Sequence, residues 1–196
     1  MKRRFLIASA FLLCLITPLW AQGGPLSLKP GVAYRFTSPK DAAVDIQTSV
    51  VVDVPLHYLV PLTEDGAWNL QVIGGAGAGT DFTNSMFGLG AAYAPRAVPN
   101  VILGAACVVD ISWPDADFTR RIYGLAAEDA VPDETWITIG AECSLDFIVP
   151  PGLPGSLIAG AGYGLRGKPN TFYVAFQVPV SPEIPEERVH RVADAD

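Results

Sequence analysis

From Leu26 onward, apolar and polar residues alternate with a period of two through most of the chain. That is the pattern of strands with two chemically different faces. The first run sets Leu26, Leu28, Val32, Tyr34 and Phe36 against Ser27, Lys29, Gly31, Ala33 and Arg35. The second sets Ile46, Val50, Val52, Val54, Leu56 and Tyr58 against Asp45, Gln47, Ser49, Asp53 and His57. The clearest sets Ile137, Ile139, Cys143, Leu145 and Phe147 against Thr138, Gly140, Glu142, Ser144 and Asp146. Further runs contain Trp68, Phe87, Val101, Leu157 and Phe172, which makes eight predicted strands. Ile73 and Ile158 fall on the wrong face of their runs.

The connections support a meander. PLTEDGA, PRAVP and VPPGLPG are compact and rich in proline or glycine, and they alternate with TSPKDAA, TDFTNS, a stretch from about Pro114 to Asp133, and GKPN. Short turns at one end and a long loop at the other suit a barrel with both termini on the short-turn side. FTRRIYGLA, inside the long connection, reads as loop, with a strand extension or a ninth strand as the alternative.

The segment VIGGAGAGTDFT invites a different reading, because glycine-rich turns cradle phosphates. A phosphate loop needs irregular glycine spacing and a following helix whose amides face the anion. Here Gly75, Gly77 and Gly79 share one face at period two, and Gly160, Gly162 and Gly164 repeat the design. Glycines on the inner wall of a narrow barrel leave room for long side chains opposite. The segment is a barrel wall.

Composition narrows the class. Lys2, Arg3 and Arg4 precede the apolar FLIASAFLLCLITPLW and a small residue, Ala21, so residues 1–21 read as a secretory signal peptide. Removing those three from the 13 basic residues leaves 10 against 20 acidic ones, a net charge of −10. Nucleic acid is therefore not an expected partner. Cys107 and Cys143 are too few for a disulfide framework or a metal cage, and neither a cofactor nor a metal is expected. Mean hydropathy is +0.32, yet no apolar run beyond the leader approaches the ~20 residues of a spanning helix. A hydrophobic exported chain without such helices points to strands.

Which face points inward is the remaining question. A lipocalin-type barrel turns its apolar face in, a membrane barrel turns it out. The polar face here is rich in Gly, Ala, Ser and Gln, which suits a cramped interior. Ile137 to Phe147 spans about 36 Å at ~3.3 Å per residue; tilted by about 40°, it covers roughly 25–28 Å of membrane. Aromatics gather at strand ends: Phe36, Phe87, Trp113 and Phe172 toward one rim, Tyr58, Trp68, Tyr93 and Phe147 toward the other. Two such girdles are expected of interfacial rings. Trp136 has the wrong parity to join them.

The pattern resembles the small eight-stranded outer-membrane proteins of Gram-negative-type bacteria. The resemblance implies an all-β, closed antiparallel up-and-down transmembrane barrel over residues 22–180, located in the bacterial outer membrane and in contact with its lipid. It implies a structural, surface-interaction or small-solute role rather than an enzymatic one. Such proteins usually end on an aromatic residue of the last strand, whereas here an acidic tail expected to be disordered follows over residues 181–196.

Charges on an inward polar face must pair. Lys29, Arg35, Asp45, Asp53, Asp110, Glu142, Asp146 and Arg166 are the candidates, with Arg35–Asp45 and Lys29–Asp53 as expected neighbours. His57 lacks a serine partner on a lipid-facing rim and reads as structural, although a lipid-modifying enzyme is a possible alternative class. A soluble lipocalin-like carrier is another. Cys107 and Cys143 read as small wall residues, with a cross-strand disulfide as the alternative. The loop over residues 114–133 is the candidate for contact with a surface partner.

Overall fold

The computed structural model describes residues 26–39, 45–98, 100–131, 134–149 and 153–179. The expected leader (1–21) and acidic tail (181–196) lie outside these residues. Among these described residues are nine strand segments: β1 (Leu26–Leu28), β2 (Gly31–Ser38), β3 (Gln47–Pro61), β4 (Trp68–Gly79), β5 (Phe82–Tyr93), β6 (Val101–Pro114), β7 (Trp136–Val149), β8 (Leu153–Gly164) and β9 (Asn170–Gln177). They make eight staves, because β1 and β2 share one register against β3: Leu28 faces Leu56 and Gly31 faces Asp53. Pro30 interrupts the pair, and Pro55 stands opposite the break. Proline has no N–H for the ladder. The chain holds its line all the same. Lys29 N–H donates to the Pro55 carbonyl (2.8 Å) and Val178 N–H to the Pro30 carbonyl (2.9 Å).

Every pairing is antiparallel and joins neighbours along the chain, and β2 against β9 closes the ring. The result is a closed up-and-down β-barrel of eight staves. Its alternation runs polar-in. Tyr34 and Val52 are 55% and 56% exposed on the outer wall, whereas Arg35 and Asp53 beside them are 3% and 4% exposed inside. Ile73 and Ile158 point inward too and do not break their strands. Ile73 packs with Met86, Ala106 and Val108; Ile158 packs with Ala33, Val51 and Ala175.

Two connections depart from expectation. TDFTNS is mostly strand: β4 and β5 are joined by Thr80 and Asp81 alone. FTRRIYGLA is neither loop nor strand, since α1 (Ala116–Tyr123) occupies it. Asp115 caps that helix, accepting from Phe118 N–H, and Gly124 ends it at φ 62°, a left-handed conformation that favours glycine. Phe118, Thr119 and Ile122 form its buried face. Residues one turn apart lie on the same side of a helix, so an aromatic and an aliphatic side chain enter the barrel mouth together.

Interior glycines make room for this filling. A Cβ at Gly160 would coincide with the Tyr173 ring, and one at Gly77 with the side-chain oxygens of Asp53 and Asn84. Gly160→Leu is accordingly expected to lower stability by about 1–3 kcal/mol through overpacking, read as a lower urea midpoint in lipid vesicles. Ala141→Leu on the exposed outer wall should leave the midpoint unchanged.

Candidate functional site

The lumen is built in layers. At the end carrying α1, Phe118 packs between Phe82 (centroids 5.9 Å apart) and Trp136 (5.8 Å). Ile122 belongs to the same cluster. Trp136, which had no place in a girdle, is an inward residue of this plug, 4% exposed. Outside the plug, Arg121 forms an ion pair with Asp81 at 2.5 Å. The Asp115 N–H donates to the Asp81 carbonyl at 2.8 Å. The two-residue turn thus ties down the start of the helix and a residue of its last turn.

Below the plug, the Arg35 guanidinium lies 4.8 Å from the Phe82 ring centre and 5.9 Å from that of Tyr173. It pairs with Asp110 at 2.5 Å and donates to Ser112 Oγ at 3.1 Å. Asn84 Nδ2 donates to the other Asp110 oxygen at 3.1 Å. Tyr173 donates its hydroxyl to Glu142 at 2.6 Å. Lys29 donates to both oxygens of Asp146, at 2.8 and 2.7 Å. Nearer the short-turn end, Gln71 Nε2 meets His57 Nδ1 at 2.8 Å.

Among the expected interior charges, Lys29, Arg35, Asp53, Asp110 and Glu142 are buried inside the barrel, and Asp146 is half-buried there. Asp45 is not among them. It is exposed, two residues ahead of β3, and Arg35 faces Ser49, so the pairing with Asp45 gives way to one across the lumen with Asp110. Lys29 likewise reaches Asp146 rather than Asp53, because the lumen is narrow enough for long side chains to span it. Arg166 is exposed in a 3₁₀ turn (Leu165–Gly167) at φ 51°, where the chain has already left its strand. Lys168 of the same connection pairs with Glu134.

The aromatics of the outer wall divide differently from expectation. Phe36 and Phe172 face each other in register near the α1 end, and Trp113 lies one residue from the end of β6. Trp68 and Tyr93 stack at the short-turn end with centroids 4.7 Å apart, and Phe147 faces Val101 there. Phe87 sits mid-strand, opposite Gly74 and Val109, because β5 starts five residues earlier, directly after the short turn. Tyr58 has outward parity but is only 6% exposed, in register with Leu26 and Val72. Cys107 faces Ala141 and Cys143 faces Ala105; both are free.

Several polar partners inside the barrel were not singled out from the sequence: Asn84, Ser112 and Tyr173 beside the charges, and Gln71 beside His57. Their signal was present, since all four lie on polar faces at inward parity, but the contacts depend on which staves stand opposite. The helix had a stronger signal in Asp115 and Gly124 at its two ends.

No protein-family model and no curated protein matches the chain. Solved structures do. Neisserial surface protein A (NspA) aligns with a TM-score of 0.50 at 14% identity, over 79% of this chain and 96% of its own. Ail, the attachment invasion locus protein of Yersinia pestis, aligns with a TM-score of 0.43 at 12% identity, over 80% of this chain and 99% of its own. The fold is that of a small outer-membrane barrel.

Two outcomes follow from the geometry. Arg35→Leu leaves Asp110 buried and unpaired and is expected to cost about 3–5 kcal/mol, whereas Arg35→Leu with Asp110→Asn should recover much of that loss in the same urea titration. On the helix, burial and then the negative charge of Glu134 push the Tyr123 phenol up to about 12. The unfolded phenol titrates near 10, so the contribution is full below pH ~10 and is lost as pH rises toward ~12. A midpoint that falls over this window, and a shallower fall in Tyr123→Phe, would establish it.

Proposed function

We propose that this protein is an integral outer-membrane β-barrel, non-enzymatic, whose work is done at its loops rather than through an open pore. The observation that carries the reading is the orientation of the two faces. Side chains suited to lipid, such as Tyr34, Val52, Leu89, Val174 and Phe176, are the exposed ones, whereas Lys29, Arg35, Asp110 and Glu142 are enclosed. In water that arrangement would expose apolar surface around the whole circumference and bury charge for no gain. In a bilayer it is the stable one. A soluble lipocalin-type carrier would need the opposite faces.

The closed lumen supports the second half of the reading. An eight-stranded interior is just filled by side chains, and here Phe82, Phe118, Ile122 and Trp136 fill the α1 end. His57, the ring an acyl-transfer mechanism would recruit, lies inside at 2% exposure against Gln71. It is away from the lipid-facing surface where such a substrate would sit. The segment from α1 through the exposed Glu128 and Asp129 is the surface offered to a partner.

Expressed with its signal, the chain should partition with outer membranes and shift in mobility between unboiled and boiled samples on an SDS gel. Recovery only from the soluble periplasm, with no shift, would defeat the reading. Orientation has its own check. A membrane-impermeant maleimide applied to whole cells should label Ala126→Cys in the long loop and spare Glu64→Cys in a short turn, in a background with Cys107 and Cys143 replaced by Ala.

A further inference from the structure

The end of the barrel opposite α1 is not filled. A cavity of about 430 Å³ opens there. It is blind. Along β7 its wall includes Ser144 and Asp146, and the next inward side chain is Glu142, held by Tyr173. From Asp146 one register row climbs the wall through Gln177 to Gly31, Asp53, Gly77 and Asn84. Asp53 therefore stands between the cavity and the Arg35–Asp110 layer, to which Asn84 is bonded.

Charge in the lumen does not balance. Among the described residues it holds the cations Lys29 and Arg35 against the carboxyl groups of Asp53, Asp110, Glu142 and Asp146. Lys29 is taken by Asp146 and Arg35 by Asp110, while Glu142 has the Tyr173 hydroxyl. Asp53 is left over. It is 4% exposed, and its register neighbours on both sides are glycines, Gly31 and Gly77, which offer no side-chain donor. The charged groups within electrostatic reach are Arg35 on β2, Asp110 on β6 and Glu142 on β7. Lys29, whose N–H meets the Pro55 carbonyl, turns to Asp146.

The group that Asp53 does meet is an acceptor. Asp53 Oδ1 and Asn84 Oδ1 crowd the space that a Cβ on Gly77 would need, and neither atom has a hydrogen-bond partner. Asn84 is anchored at its other end, where Nδ2 donates to Asp110 Oδ1 at 3.1 Å. Turning the amide over moves the conflict without removing it: Nδ2 would then serve Asp53, and Oδ1 would face Asp110. One hydrogen is missing from the line of three groups. Asp110 is not its place, because Arg35 at 2.5 Å and Ser112 at 3.3 Å already serve the other Asp110 oxygen as an anion. An ionised Asp53 against an acceptor oxygen would be a buried, unpaired charge. A carboxylic acid is a donor and completes both atoms at once. We infer that Asp53 is a proton-binding site: it stands in the lumen as the neutral acid and donates to Asn84 Oδ1, extending the Arg35–Asp110 pair into a chain that runs from Asp53 through Asn84.

Infrared spectra of the full mature protein in lipid nanodiscs at neutral pH test this directly. A protonated carboxyl has a C=O stretching band above the amide region that a carboxylate lacks. The band should be present in the wild type and should move when aspartate alone carries ¹³C in its side-chain carboxyl, a measurement that needs no variant. It should vanish in Asp53→Asn and persist in Glu142→Gln. Should Asp53→Asn fail to give a heat-modifiable band on a gel, Asn84→Leu replaces it. With the acceptor gone, the infrared band should shift to higher frequency. The inference is overturned if the wild type shows no such band, which is the result expected of an ionised Asp53 bridged to Asn84 by water or a cation. It is equally overturned if the aspartate label leaves the band in place, if folded Asp53→Asn retains it, or if Asn84→Leu does not shift it.

Discussion

Backbone amides and carbonyls cannot be left unpaired in a hydrocarbon medium, and the closure of β2 on β9 is what this chain does about it. Eight register pairs from Gly31–Gln177 to Ser38–Asn170 turn an open meander into a ring without edges. The constraint explains how the chain treats its prolines. Pro30 and Pro55 stand side by side at the one interruption in the first stave, and the carbonyls there are still used by Lys29 and Val178.

Closure with eight staves fixes a narrow interior, and narrowness governs everything inside it. Charged side chains there are largely shut off from water, and most reach across to a partner: Arg35 to Asp110 and Lys29 to Asp146, while Glu142 accepts from Tyr173. Reaching across requires space on the wall, which the period-two glycines of β4 and β8 supply. Gly77 gives way to Asp53 and Asn84, Gly160 to Tyr173. The apolar inward residues Ile73 and Ile158 belong to the same economy of space, since a lumen packed only with charges would leave voids or water.

The two ends of the barrel differ because their connections differ. A long connection can afford a capped helix, and α1 folds back to seat Phe118 and Ile122 in the mouth, tied to the Thr80–Asp81 turn through Arg121. Short turns have no length to do this. Asp65 and Arg96 join two of them by an ion pair at 2.6 Å, which braces the rim without filling it. A blind cavity at one end and a sealed plug at the other follow from loop length more than from the strands.

Period-two alternation by itself determined the number of staves, the meander and the two chemically distinct faces, because strand side chains project to opposite sides at a fixed repeat whatever the surroundings. It also marked Lys29, Arg35, Asp110, Glu142 and Asp146 as one inward set. Which of them would meet, only the tertiary structure decided. Pairs such as Lys29–Asp146 are 117 residues apart in sequence and come together through the stagger of staves around a closed ring, a quantity no local pattern encodes. The same holds for Asp45 and Arg166. They match the polar face by parity but fall outside it once the true strand ends are set. Trp136 shows the limit most clearly, since an aromatic residue at inward parity has no meaning until the helix in the preceding connection folds back and brings Phe118 to cover it.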